Sequence, residues 1–457
     1  MTRGFFLAVP VLALGALAGC RAAGPWLRGA PGKEEIRLLH EKAAVFQTRL
    51  EERHLSPEGL LVYRRSRPLG ATGWPDLASS TASYGPQSDG GIWTGCYLAA
   101  ESLRYGATLD PAALEQVRRV VQGLELLSEV TGRAGLYGRT FEPTGLPVPG
   151  TDPPDVWRPA TGGLPAYRYR GDLSKDQVSG IVFGLATAYA TVDDPEVLAS
   201  CRRQLTRLAD HILAHGFRIV DVDGFTTSHG DLDLTMLGFL PKGVNALIAL
   251  AVCKAAHHAT GEARYARAYE DLVRRGALHH AVFSKVELLG TTKHSNDVMA
   301  FLSLYTLLRL ETDRGFRGEL VEGVHRSLRW VGSERNSLFN AIVCAYVARD
   351  PLLLEDAVSS LVEFPLETRA LPVDLRDRTD IRRRLFFGCK GYLCSVAALP
   401  LDLRQSSSFT WKSCPHSLVR PGPVGEEVFY SGCDFLIAYW LLRYHGLLPH
   451  PTTGGQR

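Results

Sequence analysis

Acidic and amide residues recur at the starts of apolar segments that are predicted to be helices. They are the side chains of this chain best able to do chemistry, because carboxylates can move protons and amides can hydrogen-bond a polar ligand. If these starts lie at one end of the fold, the side chains form a polar ring around one opening. The polar ring consists of Asp89, Asp176, Asp233, Asn296, Asp297, Asn336 and Asp434.

Aromatic residues and one histidine accompany these starts. Trp93 and Tyr97 lie one turn apart in the segment SDGGIWTGCYLAAESLRYGAT, and His294 stands at the same start as two members of the polar ring. Acids beside aromatic rings in a concave site suit a carbohydrate, because its apolar ring faces stack while its hydroxyls form hydrogen bonds. We therefore expect Trp93, Tyr97, His294 and the polar ring to contact an oligosaccharide or polysaccharide.

Hydrophobic periodicity predicts that most of the chain beyond its N-terminal segment is helical. In residues 111–130, apolar side chains recur every three or four positions, and Thr131-Gly132 then ends the helix. The predicted helices span 33–53, 91–107, 111–130, 176–191, 195–215, 242–259, 262–277, 295–311, 316–332, 337–348, 352–364 and 433–447.

The predicted helices form hairpins. The dipeptides at 110–111, 194–195 and 350–351 are each Asp-Pro, which places a capping acid before a proline that suits the first helical turn. Because these joints are short, the helices beside them must be antiparallel neighbours. Six such hairpins indicate an all-α (α/α)6 barrel, a six-hairpin toroid of inner and outer helices with long loops. An open α-solenoid is the alternative, although its repeats would be more regular in length.

The inner helices of such a barrel run in the same direction, so their starts gather at one mouth. The inner helices should carry small residues on several sides, because they are buried all round. Capping of free backbone N–H groups is the alternative role for each member of the polar ring, since Asp and Asn are common N-caps. The expected inner starts are Gly91, Gln177, Lys242, Ser295, Ser337 and Cys433.

The segment FRIVDVDGFTTSHGDLD, residues 217–233, carries four aspartates and raises the question of calcium. Its spacing departs from an EF-hand loop, and Asp223-Gly224 between two β-prone runs favours a small β-hairpin over the mouth. His211 and His215 lie near a predicted helix C-terminus, where they complement the helix dipole. No metal site is predicted from either group.

Charge and motifs exclude several classes of function. The formal net charge is +3 without a long basic run, so nucleic acid is not an expected partner. The chain has no phosphate-binding loop, dinucleotide fingerprint or G-x-S-x-G elbow, and no cofactor is expected. Pairing of Cys389 with Cys394, or of Cys414 with Cys433, is an alternative to free buried thiols.

The arrangement of hairpins and helix starts resembles the six-hairpin glycosidase superfamily, which includes glycoside hydrolases and polysaccharide lyases. The resemblance covers most of residues 33–448. Unsaturated glucuronyl hydrolases, which are among the nearer analogues in this superfamily, use aspartates near the starts of early inner helices. The resemblance therefore implies Asp89 and Asp176 as catalytic residues here. Segments such as KHSNDVMAFLSLYTLLRLE also resemble an uncharacterised bacterial group of this shape, from which no activity carries over.

The N-terminus predicts export. Arg3 precedes an apolar stretch that is too short to span a membrane stably. The stretch ends in LAGC, residues 17–20, which resembles the lipobox of bacterial lipoproteins and implies cleavage before Cys20 and a lipid on its thiol. An ordinary secretory signal is the alternative. We expect anchoring to a bilayer of the cell envelope, in the outer membrane, with a signal peptide over 1–19, a tether over 20–32, the barrel over 33–448 and a tail over 449–457.

Two functions from different classes remain open. The first is an enzyme, either a glycoside hydrolase that uses Asp89 and Asp176 or a polysaccharide lyase that uses an acid with His294 or a tyrosine. The second is a non-catalytic surface lipoprotein that holds a polysaccharide or a partner protein in the same mouth. Two carboxylates about 5–9.5 Å apart across a pocket favour hydrolysis, whereas acids bound to the N–H groups of their own helices favour capping.

Overall fold

The computed structural model describes most of the chain. Cys20 and the predicted signal peptide lie outside the described residues, as does Cys389. Among the described helices, none is both long enough and apolar enough to cross a membrane. The described ranges are 31–73, 88–145, 156–161, 164–234, 242–283, 294–385 and 393–450.

Thirteen α-helices occupy the described ranges, and twelve of them confirm the predicted helices to within a few residues. The helix that was not predicted, α8, follows directly after α7 because Gly276 adopts a left-handed conformation between them (φ 86°). The helices are α1 (Lys33–Arg53), α2 (Gly90–Thr108), α3 (Pro111–Glu129), α4 (Lys175–Thr191), α5 (Pro195–Ala214), α6 (Gly243–Thr260), α7 (Ala263–Arg274), α8 (Ala277–Val282), α9 (His294–Leu310), α10 (Arg314–Val331), α11 (Ser337–Tyr346), α12 (Pro351–Glu363) and α13 (Cys433–Tyr444).

Six helices form a closed inner ring. In order around the ring, α2, α4, α6, α9, α11 and α13 each pack against the next, and α13 packs against α2. The outer helices α1, α3, α5, α7, α10 and α12 pack against this ring, and α8 lies between α6 and α10. The architecture is therefore the predicted all-α (α/α)6 barrel, because an open solenoid would leave its first and last helices apart.

Small residues allow the inner helices to be buried on every side. All residues of α2 from Gly90 to Leu103 are buried. A Cβ atom at Gly95 would lie 2.1 Å from the backbone oxygen of Gly180 on α4, and one at Gly184 would lie 2.4 Å from the oxygen of Gly95. Only glycine permits this approach of two backbones. The close packing of α2, which begins after Asp89, therefore follows from its position in the inner ring.

The Asp-Pro joints lie at the opposite end from the starts of the inner helices. Asp110, Asp194 and Asp350 each accept hydrogen bonds from backbone N–H groups in the first turn of an outer helix, which confirms their capping role. The C-terminal ends of the inner helices gather at this end. There, Arg309 of α9 donates hydrogen bonds to Thr191 Oγ1 at 3.0 Å and to Tyr444 Oη at 3.1 Å. These contacts close the barrel away from the mouth.

The long loops contain short antiparallel strands. The β5–β6 pair confirms the predicted hairpin, and Gly224 adopts a left-handed conformation in its turn (φ 87°). The sheets are β1–β11, β10–β7, β2–β4–β3, β5–β6 and β8–β9. The strands are β1 (Arg64–Pro68), β2 (Thr140–Pro143), β3 (Trp157–Pro159), β4 (Tyr167–Arg170), β5 (Arg218–Val220), β6 (Thr226–Asp231), β7 (Val373–Asp374), β8 (Arg383–Leu385), β9 (Leu393–Ser395), β10 (Val419–Arg420) and β11 (Glu426–Tyr430).

Candidate functional site

The starts of the inner helices meet at one mouth. Gln177 in the first turn of α4 accepts a hydrogen bond from the backbone N–H of Ile92 on α2 at 2.9 Å. Lys175, the first residue of α4, donates to Asn245 Oδ1 on α6 at 2.8 Å. The starts of α2, α4 and α6 are therefore neighbours, as the barrel requires.

One side of this mouth is filled by the chain itself. Residues 409–412, which we call the plug segment, lie across the starts of several inner helices. The backbone N–H of Thr410 donates to Asp434 Oδ2 at 2.8 Å, and the indole N–H of Trp411 donates to the Asp434 carbonyl at 2.7 Å. Asn336 Nδ2 donates to the Trp411 carbonyl at 3.1 Å. The plug segment is thus held by polar contacts from α13 and from the start of α11.

This plug corrects the prediction that Asp434 and Asn336 contact a substrate. Asp434 is 4% exposed and its carboxylate binds Thr410. Burial raises the pKa of Asp434, although its hydrogen bonds oppose the shift. Asn336 is 5% exposed, and its side-chain oxygen caps α11 by accepting from the Phe339 N–H at 3.1 Å. Both side chains face protein groups rather than an open site.

The predicted aromatic contacts are also corrected. Trp93 stacks on Phe409, with ring centroids 4.3 Å apart, and the ammonium of Lys412 lies 4.8 Å from the centroid of its ring. A sugar therefore cannot reach Trp93 while the plug segment is in place. Tyr97 is fully buried between α2 and α1, where its hydroxyl accepts from Gln47 Nε2 at 3.1 Å. Its ring belongs to the core and not to the mouth.

Asp89 lies at the mouth but does not cap its helix through its side chain. Its carboxylate faces two cations, with Lys412 Nζ at 3.2 Å and an Arg139 guanidinium nitrogen at 3.4 Å. Gln177 Nε2 lies 3.5 Å from the same carboxylate. Asp89 therefore ties the plug segment to the starts of α2 and α4. A catalytic role for it stays a prediction.

Asp176 occupies the first turn of α4 and is half-buried. Its Oδ1 accepts hydrogen bonds from the Ser174 hydroxyl and from the Gln177 backbone N–H at 3.1 Å. Within the described part of the chain, no group donates to its second oxygen, Oδ2. One carboxylate oxygen is held in place, and the other remains available to a ligand or water molecule.

Asp233 and His294 contact other protein groups. Asp233 precedes α6 and is 9% exposed, and it pairs with Arg275 at 2.9 Å and Arg218 at 3.4 Å. His294 Nε2 lies 3.1 Å from Glu334 Oε1. Burial alone would lower the pKa of His294, but the hydrogen bond and negative charge of Glu334 outweigh burial, so this pKa is raised. Direct substrate contact by these two residues stays a prediction.

A polar groove of about 470 Å³ opens on the other side of the mouth, beside the starts of α4, α6 and α9. Of the residues predicted to form the site, Asn296 is found in the described lining of the groove. Asp297, on the same helix, is buried, with 4% exposure. The β6 strand supplies one wall, which agrees with the predicted place of the hairpin over the mouth. The lining residues are Lys175, Ser228, His229, Asp231, Lys242, Gly243, Val244, Asn245, Phe283 and Asn296.

Hydrogen bonds fix the polar side chains of the groove. Asn245 Nδ2 donates to the Asp231 carbonyl at 2.9 Å, which ties α6 to β6. Lys242 Nζ donates to the Asp233 carbonyl at 3.0 Å and lies 3.9 Å from Asp231 Oδ2. Ammonium, amide and carboxylate groups thus surround one cavity, together with the aromatic ring of Phe283.

Sequence reasoning missed most of these lining residues, although some signals were present. Lys175 directly precedes Asp176, and Lys242 stands at a predicted inner start. His229 lies in the segment that was predicted as a β-hairpin over the mouth. Phe283 gave no signal, because it belongs to a helix end that the periodicity did not indicate.

The described ranges contain neither a cluster of side chains that could hold a metal ion nor the Cys414–Cys433 disulfide bond. No group of three or more His, Cys, Asp or Glu side chains is arranged there to hold a metal ion. Cys433 is a free, buried thiol, so the predicted alternative in which it pairs with Cys414 is wrong. The Cys389 alternative lies outside the described residues.

The chain is similar in shape to several solved carbohydrate enzymes. No family model and no curated protein matches it. A glycoside hydrolase family 76 mannosidase from Bacteroides thetaiotaomicron is similar with a TM-score of 0.47 and 10% identity, over 90% of this chain and 98% of that chain. A cellobiose 2-epimerase from Spirochaeta thermophila has a TM-score of 0.46 and 15% identity, over 90% and 99%. A metagenome-derived glycoside hydrolase family 9 endoglucanase has a TM-score of 0.44 and 14% identity, over 91% and 81%.

Proposed function

We propose that this chain binds a carbohydrate in the groove and hydrolyses a glycosidic bond there. The supporting observation is the lining of the groove, where amides, ammonium groups and a carboxylate face one cavity beside an aromatic ring. Sugar hydroxyls need donors and acceptors in close alternation, and a ring face packs on an aromatic side chain. The volume of about 470 Å³ suits a short stretch of an oligosaccharide.

Asp176 is the proposed base or nucleophile. It follows the groove residue Lys175 directly, and hydrogen bonds to Oδ1 orient its carboxylate while Oδ2 has no donor among the described residues. Hydrolysis also needs a carboxylic acid that protonates the leaving oxygen. Asp89 is the predicted partner, and Asp231 is a second candidate because it lines the groove.

Carbohydrate binding without catalysis is the second candidate function. Several acids of the polar ring serve the fold, since Asp434 holds the plug segment and Asp233 pairs with two arginines. A groove in which all the acids were structural would bind a glycan and leave it intact. This function uses the same lining residues and differs only in turnover.

Paired measurements of turnover and binding distinguish the two functions. Asp176→Asn and Asp89→Asn are compared with Asp271→Asn, a matched change on the outer helix α7 where the side chain is 53% exposed. We expect a catalytic acid to lose a factor of about 10²–10⁴ in rate while glycan binding and thermal stability stay near those of the wild type. Asn can accept the hydrogen bonds that Asp176 Oδ1 accepts, so folding should hardly change in Asp176→Asn. Asp89→Asn also removes the charge that faces Lys412 and Arg139, so its turnover is compared at a temperature below the melting point of that variant.

The panel consists of defined oligosaccharides, with reducing-end release as the assay for turnover and calorimetry as the assay for binding. Full turnover in both Asn variants would remove Asp89 and Asp176 from the mechanism. Binding by the wild-type chain without any turnover would support the non-catalytic function. Absence of both binding and turnover across the panel would count against each of them.

We also propose that the chain is exported and anchored to the cell envelope through Cys20. The basis is the LAGC sequence at residues 17–20 after a short apolar stretch. Cys20→Ser should abolish metabolic labelling with a fatty acid and should leave the precursor uncleaved or released. Unchanged labelling of this variant would exclude the lipobox.

A further inference from the structure

We propose that Asp172 is a positioning residue of the groove, which holds the β6 wall against the start of α4 and thereby sets the affinity for a glycan. This role rests on the proposed carbohydrate function and adds to it a residue outside the described lining of the groove. Its basis is a set of hydrogen bonds between β6 and residues 171–174, which we call the α4 leader.

The side chain of Asp172 contacts the groove wall directly. Asp172 lies three residues before α4 and is half-buried. Its Oδ1 accepts a hydrogen bond from the backbone N–H of Ser228 at 2.7 Å, and Ser228 is an exposed lining residue of the groove. A hydrogen bond to a carboxylate is stronger than one between neutral groups. Asp172 therefore fixes β6 at a residue that lines the cavity.

Two further hydrogen bonds join the α4 leader to the hairpin. Thr227 Oγ1 donates to the Leu173 carbonyl at 2.6 Å, and the backbone N–H of Asp172 donates to Asp221 Oδ2 at 3.1 Å. Asp221 directly follows β5, so the leader is tied to both strands of the β5–β6 pair. Thr227, Leu173 and Asp221 are all buried, and water therefore competes little for these bonds.

The backbone of Asp172 is in the left-handed region, with φ 56°. Residues other than glycine adopt this conformation at a cost, although Asp and Asn tolerate it better than most. Leu109 has the same φ, but it ends α2, where a left-handed residue commonly closes a helix. Asp172 precedes a helix instead, and its contacts with Asp221 and Ser228 hold it in place. Such conformations persist where the surroundings impose them, and they cluster at functional sites.

The other end of β6 is held by α6. Asn245 Nδ2 donates to the Asp231 carbonyl at 2.9 Å, and Asn245 Oδ1 accepts from Lys175 Nζ at 2.8 Å. With the bond between Asp172 and Ser228, these contacts form a closed path from the α4 leader through β6 to α6 and back to α4. Loss of the Asp172 side chain should loosen the wall at Ser228 while Asn245 keeps the hairpin on the barrel.

A wall that is fixed before the ligand arrives favours binding. Ordering a mobile segment costs free energy when a ligand binds, and a segment that is already held avoids this cost. Because Ser228 and His229 of β6 line the groove, the hold on β6 should act on the affinity for a glycan. Asp172 contributes by placing these residues, and the proton transfers remain with other carboxylates.

Two variants separate the side chain of Asp172 from its backbone. Asp172→Gly keeps the left-handed conformation and removes the carboxylate, whereas Asp172→Asn keeps an oxygen that can accept from Ser228. Leu109→Gly is the matched control, because it places glycine at another left-handed residue, beside the Asp-Pro joint at the opposite end of the barrel. Thermal melting sets a working temperature at which all three variants are folded.

Hydrogen–deuterium exchange of the full chain without a ligand tests the hold on the wall. Peptides that cover β6 should exchange about tenfold faster in Asp172→Gly than in the wild-type chain. Asp172→Asn and Leu109→Gly should match the wild type in this region. Peptides that cover β1 should exchange equally in all variants, which confirms that the change is local.

Affinity and turnover test the consequence for the ligand. Calorimetry with cellotetraose, mannotetraose and xylotetraose should show about fivefold weaker binding to Asp172→Gly, and Asp172→Asn should restore it. For a tetrasaccharide that is hydrolysed, KM should rise about fivefold in Asp172→Gly while kcat stays within about twofold of the wild type. A purely structural role would lower the melting temperature and leave KM unchanged below it.

Three outcomes would overturn the inference. Unchanged exchange of β6 in Asp172→Gly would show that Asp172 does not hold the wall, whether or not a glycan binds. Faster exchange with unchanged affinity and KM would show that the wall does not act on the ligand. A loss of kcat by about 10²–10⁴ in Asp172→Asn at unchanged KM would make Asp172 a catalytic carboxylate instead.

Failure of the proposed function has a different signature. In that case the wild-type chain binds and hydrolyses none of the three tetrasaccharides. The exchange of β6 then decides the role of Asp172 by itself, because that measurement needs no ligand.

Discussion

Phe409 lies face to face with Trp93, with ring centroids 4.3 Å apart and ring planes inclined by 15°. The contact joins a loop residue to the first turn of an inner helix, across a separation of more than half the chain. It makes the mouth of the barrel asymmetric, because one side is filled by the plug segment and the other opens as the groove. The aromatic ring that was predicted to stack on a sugar thus stacks on the chain's own phenylalanine.

Removing Phe409 should destabilise the fold markedly. Phe409 is fully buried, so Phe409→Ala leaves a cavity above Trp93 and should lower the free energy of unfolding by about 3–5 kcal/mol. Chemical denaturation measures this change. Phe225→Ala is the matched control, because Phe225 is 76% exposed at the β5–β6 turn and its loss should change stability by about 0.5 kcal/mol or less. Equal effects of the two changes would contradict the packing of the plug segment.

The helices could be predicted because their signals are local. Periodicity within 111–130 and the Asp-Pro joints fix helix faces and ends within a few residues of each signal. The plug segment could not be predicted in this way, because the connection over 365–432 has no sustained period. Its place depends on tertiary contacts such as that of Thr410 with Asp434, which only the folded barrel brings together.

The sequence predicted a mouth at the starts of the inner helices but indicated only part of the residues that line the groove there. The common direction of the inner helices brings their starts to one mouth, where Asn296 lines the groove and Asp176 directly follows the lining residue Lys175. A residue at a helix start is equally suited to a ligand and to a protein partner, since both present hydrogen-bonding groups. The sequence therefore could not distinguish Asp434, which binds the plug segment, from Asp176.

Glycine at the α2–α4 contact should be indispensable. A Cβ at Gly95 would lie 2.1 Å from the backbone oxygen of Gly180, so Gly95→Ala must push the two helices apart and should cost about 3 kcal/mol or more. In contrast, a Cβ at Gly318 on α10 meets nothing within 4 Å. Gly318→Ala should therefore raise stability by about 0.5–1 kcal/mol through helix propensity. Thermal melting of both variants checks the contrast, and a tolerated Gly95→Ala would contradict the described helix spacing.

Asp350, the N-cap residue of α12 at the end of the barrel opposite the mouth, gives a prediction that does not depend on the groove. Asp350 accepts from the N–H groups of Leu352 at 2.9 Å and Leu353 at 3.3 Å. Asp350→Ala should lower the free energy of unfolding by about 0.5–2 kcal/mol, whereas Asp350→Asn should be close to neutral because Asn caps nearly as well. Urea denaturation of the pair measures the difference. A loss as large in the Asn variant would indicate that charge, rather than capping, is what Asp350 contributes.

A buried carboxyl in the core should make stability depend on pH. Glu101 on α2 is fully buried, and this burial raises its pKa from 4.5 to about 8, although the charge of Arg104 opposes the shift. Its Oε2 lies 3.1 Å from a guanidinium nitrogen of Arg104, and no described group donates to its Oε1. The folded chain therefore holds a proton on Glu101 at neutral pH that the unfolded chain releases.

This difference in proton binding sets the sign of the pH effect. Between pH 4.5 and 8 the folded state binds one more proton than the unfolded state at Glu101, so this residue lowers stability as pH rises, by up to about 1.4 kcal/mol per pH unit. Buried His54 acts in the opposite direction below pH 6.5, because burial lowers its pKa to about 4. The contribution of Glu101 must therefore be measured as a difference between two variants.

Glu101→Gln should remove this pH-dependent loss, because Gln stays neutral in both states. Relative to the wild-type chain, the variant should gain stability steadily as pH rises from 5 to 8, and the gain should level off above pH 8. Denaturant unfolding at several pH values gives this difference directly. Glu319→Gln, at an exposed site on α10, is the control and should show a difference that does not vary with pH. A constant difference for Glu101→Gln as well would mean that Glu101 is ionised in the folded barrel, with Arg104 compensating its charge.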